Sequence, residues 1–415
     1  MTHTKSMAAL ALVALLGYYK LVRKGRNDLE GRFWSLVPPR LAHHLRTSYF
    51  TARCIQYLFN TTARVAAAVA LLFTKPQLLY KHLYPPHRLA SDVPYHQTTR
   101  TTHRTQHQRL DVYAPNSHTS QMPQPSTPST PSTPVVVFIH GGIWTLFNRH
   151  FFRLLGEQFA QLGVICVIPS YSYYPDGNTQ NQIEDVALAI NWVEQHISIY
   201  GGSKQKIVLC GQSSGAHVTS QYILRSAAVA LESKVCGYIG CSGVFDPLHH
   251  NTSFESKRGV NHISPLVPAN GGLLRWHNVA GCGKETDETQ EEPMARYSSC
   301  LKVMQLSKQS LQCLPPMLLL HGKDDTTVPT SSSEFFLNQC KKAMGNNKET
   351  LNIEMKLLDG IDHATYLYDI SVNEGPMKNA MMNNIMCFVS GCCKIANASD
   401  QQKVYPGSMC NFKNK

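Results

Sequence analysis

Negative charge is nearly absent from the start of this 415-residue chain. Residues 1–110 hold 16 Lys and Arg against 3 Asp and Glu, and the rest of the chain holds 23 against 24. The overall charge of +12 is therefore local to the N-terminal region, and the bulk of the chain is near neutral. A basic region needs an acidic partner, and no aromatic-interleaved basic motif accompanies it, so a nucleic-acid binder is excluded in favour of a membrane surface. Charged residues overall are few, at 16%, while 43% are hydrophobic, which excludes a disordered chain. No C-x-x-C pair occurs among the 13 cysteines, and their odd number argues against a pure disulfide framework. No metal or cofactor is expected.

Long uncharged apolar runs are also missing near the N-terminus. Ser6 to Tyr19 is uncharged, but it is short of the roughly 20 residues that cross a bilayer. Leu21 and Val22 extend the stretch to 6–22 if Lys20 snorkels. The cationic flank Lys20, Arg23, Lys24 and Arg26 lies downstream, which favours a signal anchor over a cleaved signal peptide. A second stretch, 54–74, carries Arg64 near its centre, at a cost of about 2.5–3.5 kcal/mol for a spanning helix. An in-plane amphipathic segment or a packed helix fits it as well. These features set residues 1–84 apart as a membrane-directed region.

The remainder alternates between two patterns. Val135–His140 (VVVFIH) is a β-branched run suited to a strand buried on both faces, and Val164–Ile168 is another. Further strands are expected at Ile207–Cys210, Tyr238–Gly240, Met317–Leu320 and Asn352–Leu358. Ile183, Val186, Ile190, Val193 and Ile197 recur at helical spacing, predicting a helix over Gln182–Ile199, and a second helix is expected at His217–Leu231. Strands alternating with helices imply a mostly parallel central sheet with helices on both faces. Residues 117–134 are a Ser-Thr-Pro-rich exposed loop, and Gly283–Pro293 is an acidic surface loop. The catalytic domain is placed at 85–390 and a C-terminal tail at 391–415.

Four elements carry chemistry. Gly211-Gln212-Ser213-Ser214-Gly215 follows the strand IVLC and precedes a helix, where a nucleophile elbow would present the Ser213 hydroxyl. His140-Gly141-Gly142-Ile143-Trp144 follows VVVFIH. A Gly-Gly loop there lets backbone amides meet the charge that develops on a carbonyl oxygen, with the amide of Ser214 as a further donor. His321-Gly322-Lys323-Asp324-Asp325 follows MLLL and offers two carboxylates, Asp324 and Asp325, for the acid of a triad. In an α/β-hydrolase the order is Ser, acid, His, and His363 is the sole histidine beyond Asp325. His217, on the elbow helix, is read as packed rather than catalytic, and His140 as support for the oxyanion loop. Cys392 and Cys393, followed by Lys394, could be acylated, but a plain packed or exposed pair is the favoured reading. The sequons at Asn60, Asn251 and Asn397 are about as many as chance supplies.

These residues resemble the hormone-sensitive-lipase-like branch of α/β-hydrolases. A wider set is similar to isoprenylcysteine α-carbonyl methylesterases: RLDVYAP (109–115), YSYYP (171–175), IYGGSKQKIVLCGQSSGAH (199–217), GCSGVFD (240–246), RGVNHISPL (258–266) and LPPMLLLHGKDDTTVP (314–329). The resemblance covers roughly 85–390. It implies an α/β-hydrolase fold, hydrolysis of prenylcysteine methyl esters, and residence on endoplasmic reticulum and Golgi membranes. The family pattern H-G-x-x-D-x-x-V/I-P selects Asp325 over Asp324. Substrate-contact positions implied by it are Gly141, Gly142 and Ile143 in the oxyanion loop and Gln212, Ser213 and Ser214 at the elbow. Plant members carry Thr at the position of His140 and Ala at those of Ile143 and Ser214. HGGIW also fits the H-G-G-x-W pattern of kynurenine formamidases. The readings are therefore a membrane-anchored prenylcysteine methylesterase, a general carboxylesterase or formamidase, and a non-catalytic hydrolase-fold binding protein, the last disfavoured because no triad member is missing.

Overall fold

The computed structural model describes residues 76–96, 103–115, 133–229, 233–255, 257, 264, 266–270, 291–345, 352–363 and 376–399. Its centre is an eight-stranded sheet in the order β1-β2-β4-β3-β5-β6-β7-β8. The strands are β1 (Arg88–Pro94), β2 (Arg109–Tyr113), β3 (Thr133–Ile139), β4 (Ile165–Pro169), β5 (Gly202–Gln212), β6 (Gly237–Cys241), β7 (Met317–Gly322) and β8 (Ile353–Leu358). From β4 to β8 every pair is parallel, while β2 runs antiparallel to both β1 and β4.

The period-two side-chain alternation of a strand divides the core into two layers. Val135, Val137 and Ile139 of β3 and Ile207 and Leu209 of β5 enter one layer. Val136, Phe138, Val208 and Cys210 enter the other. Burial on both faces explains why these strands are continuous apolar runs. Helices α1 (Pro76–Leu83), α2 (Arg153–Gln161), α3 (Thr179–His196), α4 (Ser214–Ala228), α5 (Ser331–Met344) and α6 (Pro376–Ser399) surround the sheet. Ile183, Val186, Ile190 and Val193 of α3 pack into the first layer with Ala216, Val218 and Leu224 of α4 and Phe336 of α5. Leu155 and Phe159 of α2 pack into the second with Met381, Met382, Ile385, Val389 and Cys392 of α6.

The expected strands and helices are present with shifted ends. Helix α3 starts at Thr179, ahead of its apolar stripe, because Asn178 and Asn181 form a reciprocal capping box. Helix α4 begins at Ser214, directly behind the elbow, and stops at Ala228. Two features were not anticipated: the antiparallel pair β1–β2, and α6, inside which the expected domain edge at residue 390 falls. Cys392 and Cys393 are buried in its packed face. The sequon residue Asn251 is buried, and its side-chain amide donates to Glu255 at 3.0 Å.

The apolar stretches 6–22 and 54–74 lie outside the described residues, as do 117–132 of the Ser-Thr-Pro loop and 283–290 of the acidic loop. Among the described residues no helix is long and apolar enough to cross a membrane.

Candidate active site

Strand β5 runs straight into Ser213, which adopts φ 56° and ψ −124° before α4 begins. A non-glycine residue at positive φ costs about 1–3 kcal/mol and needs outside support. Part of that support is the Ser213 amide, which donates to the Cys241 carbonyl of β6 at 2.8 Å. Gly215 explains the second glycine of the motif: a Cβ there would sit 2.3 Å from the Ile139 carbonyl oxygen and 2.4 Å from that of His140. Only glycine lets α4 approach the end of β3.

His363 reaches this serine from the loop after β8. Its Nε2 lies 2.9 Å from Ser213 Oγ, and its Nδ1 lies 2.8 Å from Asp325 Oδ2. A carboxylate only accepts, so Nδ1 carries the proton and Nε2 is left to accept from the serine hydroxyl. Asp325 Oδ1 accepts from the amides of Thr327 at 2.9 Å and Val328 at 2.8 Å. Burial alone would raise the carboxyl of Asp325. The charge of His363 and hydrogen bonds from His321 and His363 override it and hold the group well below the usual carboxylate range. Asp324, by contrast, is exposed, and its amide donates to the Ile361 carbonyl. The structure thus places at His363 the carboxylate that the resemblance selects, Asp325, and leaves Asp324 at the surface.

The loop after β3 lies against the elbow. A Cβ on Gly141 would come within 2.4 Å of Gln212 Oε1 and 2.7 Å of Ser213 Cβ. Gly142 has φ 134°, and its carbonyl accepts from Thr145 at 3.0 Å and Leu146 at 2.8 Å. Ile143 and Trp144 follow at φ 47° and 62°, a conformation unfavourable to both and most of all to a β-branched side chain. Trp144 holds this strained run in place. Its backbone amide donates to Ser214 Oγ at 3.3 Å, and its carbonyl accepts from the Tyr174 amide at 2.9 Å and Gln182 Nε2 at 3.1 Å. Its indole N–H donates to His217 Nδ1 at 3.2 Å. Ser214 is therefore more than a neighbour of the nucleophile: its hydroxyl ties the elbow to the loop. All five positions named for the oxyanion and substrate side (Gly141, Gly142, Ile143, Gln212 and Ser214) fall in this loop and the adjoining elbow.

Two histidines fill supporting places. His140 donates from Nδ1 to the Gly141 carbonyl at 2.7 Å, with its ring stacked between Phe152 and Tyr171. Burial pushes it down to about 4, against the effect of the Gly141 carbonyl. His217 contacts the Tyr297 carbonyl through Nε2 at 2.7 Å. Burial lowers it to about 4 as well, with that carbonyl opposing and Arg225 assisting. Both rings are neutral, and neither touches the Ser213 hydroxyl.

Two contributors were given no role by the sequence. Asp185 of α3 is fully buried and accepts from the Ser172 amide at 2.8 Å, Gln108 Nε2 at 2.6 Å and Arg104. It anchors the YSYYP stretch whose Tyr174 meets Trp144. His321 is also fully buried, between Asp325, Val328 and Ser333.

A nucleophile elbow on a parallel sheet, facing a Ser–His–Asp line across a Gly-Gly loop, defines an α/β-hydrolase with a site of the serine-hydrolase type. The chain is similar to isoprenylcysteine alpha-carbonyl methylesterases. A probable member from Arabidopsis thaliana is 28% identical over 238 residues, covering 55% of this chain and 44% of that protein. The family model BD-FAE matches residues 110–244, from β2 past the elbow to the end of β6. Kynurenine formamidase of Danio rerio is 28% identical over 156 residues, covering 37% of this chain and 46% of that protein. The chain spans about half the length of the curated isoprenylcysteine methylesterases it matches. Among solved structures, esterase B from Lactobacillus rhamnosis superposes with a TM-score of 0.55 at 16% identity, over 81% of this chain and 100% of that one.

Proposed function

We propose that this protein is a serine carboxylester hydrolase, with Ser213 as nucleophile, His363 as general base and Asp325 as the acid that orients it. The observation that carries this reading is the unbroken hydrogen-bonded line from Ser213 Oγ through both nitrogens of His363 to Asp325. Ser213 Oγ attacks the ester carbonyl as its proton passes to His363 Nε2. The amides of the Gly141–Ile143 loop and of Ser214 receive the oxyanion. The alcohol leaves with the proton from His363, and water, deprotonated by the same ring, releases the acid and frees Ser213.

For substrate we infer the α-carboxyl methyl ester of a prenylcysteine, supported by the relatives' names and by the motifs from RLDVYAP to HGKDDTTVP. A basic, apolar region at 1–84 suits a substrate whose isoprenoid partitions into membranes, and we place the protein on the endoplasmic reticulum or Golgi membrane with its catalytic domain running from about residue 85 through the end of α6. The test is methanol release from farnesylcysteine methyl ester by the purified chain. The expected result is turnover that Ser213→Ala abolishes, together with loss of labelling by a fluorophosphonate probe. Hydrolysis of p-nitrophenyl butyrate with no action on the prenyl ester overturns the substrate and leaves the carboxylesterase. Absence of fluorophosphonate labelling in the native chain overturns the enzyme reading itself and favours a binding protein. A second reading, a formamidase, draws on HGGIW and the Danio rerio relative, and turnover of N-formylkynurenine would establish it. For the membrane, loss of carbonate-resistant pelleting on removal of residues 1–84 is expected.

A further inference from the structure

Asp325 is gripped by more than the residue it serves. His321, at the end of β7, is fully buried, and its Nε2 lies 2.9 Å from the Val328 carbonyl oxygen and 3.3 Å from Asp325 Oδ2. A carbonyl oxygen only accepts, so Nε2 carries the proton and shares it between Val328 and Asp325. On the far side, Nδ1 lies 2.7 Å from Ser333 Oγ of α5, and in this tautomer it accepts the serine's proton. The oxygen that His321 approaches, Oδ2, is the one to which His363 donates. Two imidazoles therefore compete for one carboxylate oxygen.

We propose that His321 is a positioning residue for the triad, whose Nε2–H both fixes the Asp325–Val328 turn and sets how strongly Asp325 holds the proton-bearing form of His363. The proposal rests on the reading of Ser213, His363 and Asp325 as a triad. A carboxylate that already accepts from His321 is a weaker base toward His363. The imidazolium formed during acylation is then held less tightly and gives up its proton to the leaving alcohol more readily. Ser333 takes part indirectly, because a proton donated to Nδ1 makes Nε2–H a better donor. The ionisable groups around the carboxylate are His321 from β7 and His363 from the loop after β8, with Asp362 beside His363. Lys323, Asp324 and Glu334 of α5 are exposed.

The experiment compares His321→Leu, His321→Gln and Ser333→Ala with the native full-length chain. Two readouts are taken: the pH profile of kcat/KM on p-nitrophenyl butyrate, and the titration of His363 followed by NMR with ¹⁵N-histidine, which needs no substrate. Leu removes the donor, so the acid limb and the His363 titration are expected to move up by about half to one pH unit. kcat is expected to fall about tenfold with KM held. Gln can return an N–H near the position of Nε2 and restores both values. If the Leu variant does not fold, Ser333→Ala decides, with a smaller upward shift expected. A His363 titration unmoved by either variant overturns the proposal, as does a Gln variant as impaired as Leu. If the native chain hydrolyses no ester, the triad reading fails, while the NMR titration still reports what His321 does to His363.

Discussion

The two halves of the site are built on opposite terms. On the oxyanion side the backbone is strained: Gly142, Ile143, Trp144, Phe147 and Ser213 all have positive φ. On the acid–base side, Asp325, Thr327, Val328 and His363 keep ordinary backbone, and the positive φ before His363 falls on Gly360. There, geometry comes from hydrogen bonds converging on a buried carboxylate. Strain is stored where backbone amides must face a position that regular structure would not offer, and it persists because Trp144 is pinned at its amide, carbonyl and indole. Charge does the corresponding task on the other side, where the requirement is a proton's location rather than a backbone's direction.

Substitutions can break this contrast, the largest effects coming from the charged side. Asp325→Asn preserves shape but can donate to His363 Nδ1 and impose the wrong tautomer, so kcat on a p-nitrophenyl ester is expected to fall about 10⁴-fold. The fold should remain, as checked by circular dichroism. Gly142→Ala attacks the strained side: its Cβ would sit 2.0 Å from the Leu146 carbonyl oxygen at φ 134°. A loss of about 10²–10³ in kcat is expected, the range for a lost oxyanion donor. A Gly142→Ala enzyme with native kcat would mean that this loop receives no charge.

The smallest expected effect sharpens the comparison through pH. His217 is held to about 4 in the fold, below the roughly 6.5 of an unfolded chain. Between those values the unfolded state takes up the proton first, so stability falls as pH drops from about 6.5 to about 4, by an order of 3 kcal/mol at most. Gln in place of His217 can still accept from the Trp144 indole and donate to Tyr297, but it cannot titrate. Urea unfolding at a series of pH values is expected to show a shallower acid decline for His217→Gln. Asp325 acts in the same sense but in a lower pH window. Its depressed carboxyl contributes stability above the unfolded carboxylate value near 3.9, lost only below that as pH falls through its folded value. The decline above pH 4 is therefore a histidine effect.

How much of this was legible in the sequence follows from the same contrast. The elbow could be read from Gly211, Ser213 and Gly215 because a strained turn leaves few residue choices. The Gly-Gly loop could be read for the same reason. Asp325 could not be told from Asp324 by spacing alone, since what separates them is burial and the reach of His363. His321 stood in the H-G-x-x-D pattern, but its role was not legible, because a buried ring between a carboxylate and a helix serine is a long-range fact. Strand β1 was missed because it lacks alternation: it is largely half-exposed, its register shifts twice, and Asp92 breaks it at φ 60°. It is held by its pairing with β2 and by Leu89, Ala90 and Val93 against the first core layer, with ion pairs of Asp92 to Arg109 and Arg149 beside them. Helix α6 did carry a signal, in the spacing of Met381, Ile385, Val389 and Cys392, but methionine, cysteine and asparagine in place of leucine blurred it.

That helix has a consequence for how the chain is made. The second core layer takes in Val136, Phe138, Val208, Cys210 and Ile239 from strands early and midway along the chain, yet α6 covers it with residues 381–393. At about 5–20 residues per second, translation from the end of β5 to Cys393 takes roughly 10–40 s. Once β6 has emerged, a ribosome-bound chain can complete the elbow and pack α3 and α4 on one face while the other stays partly uncovered. The nascent protein is thus a half-dressed sheet, with part of its second core layer open until α6 emerges.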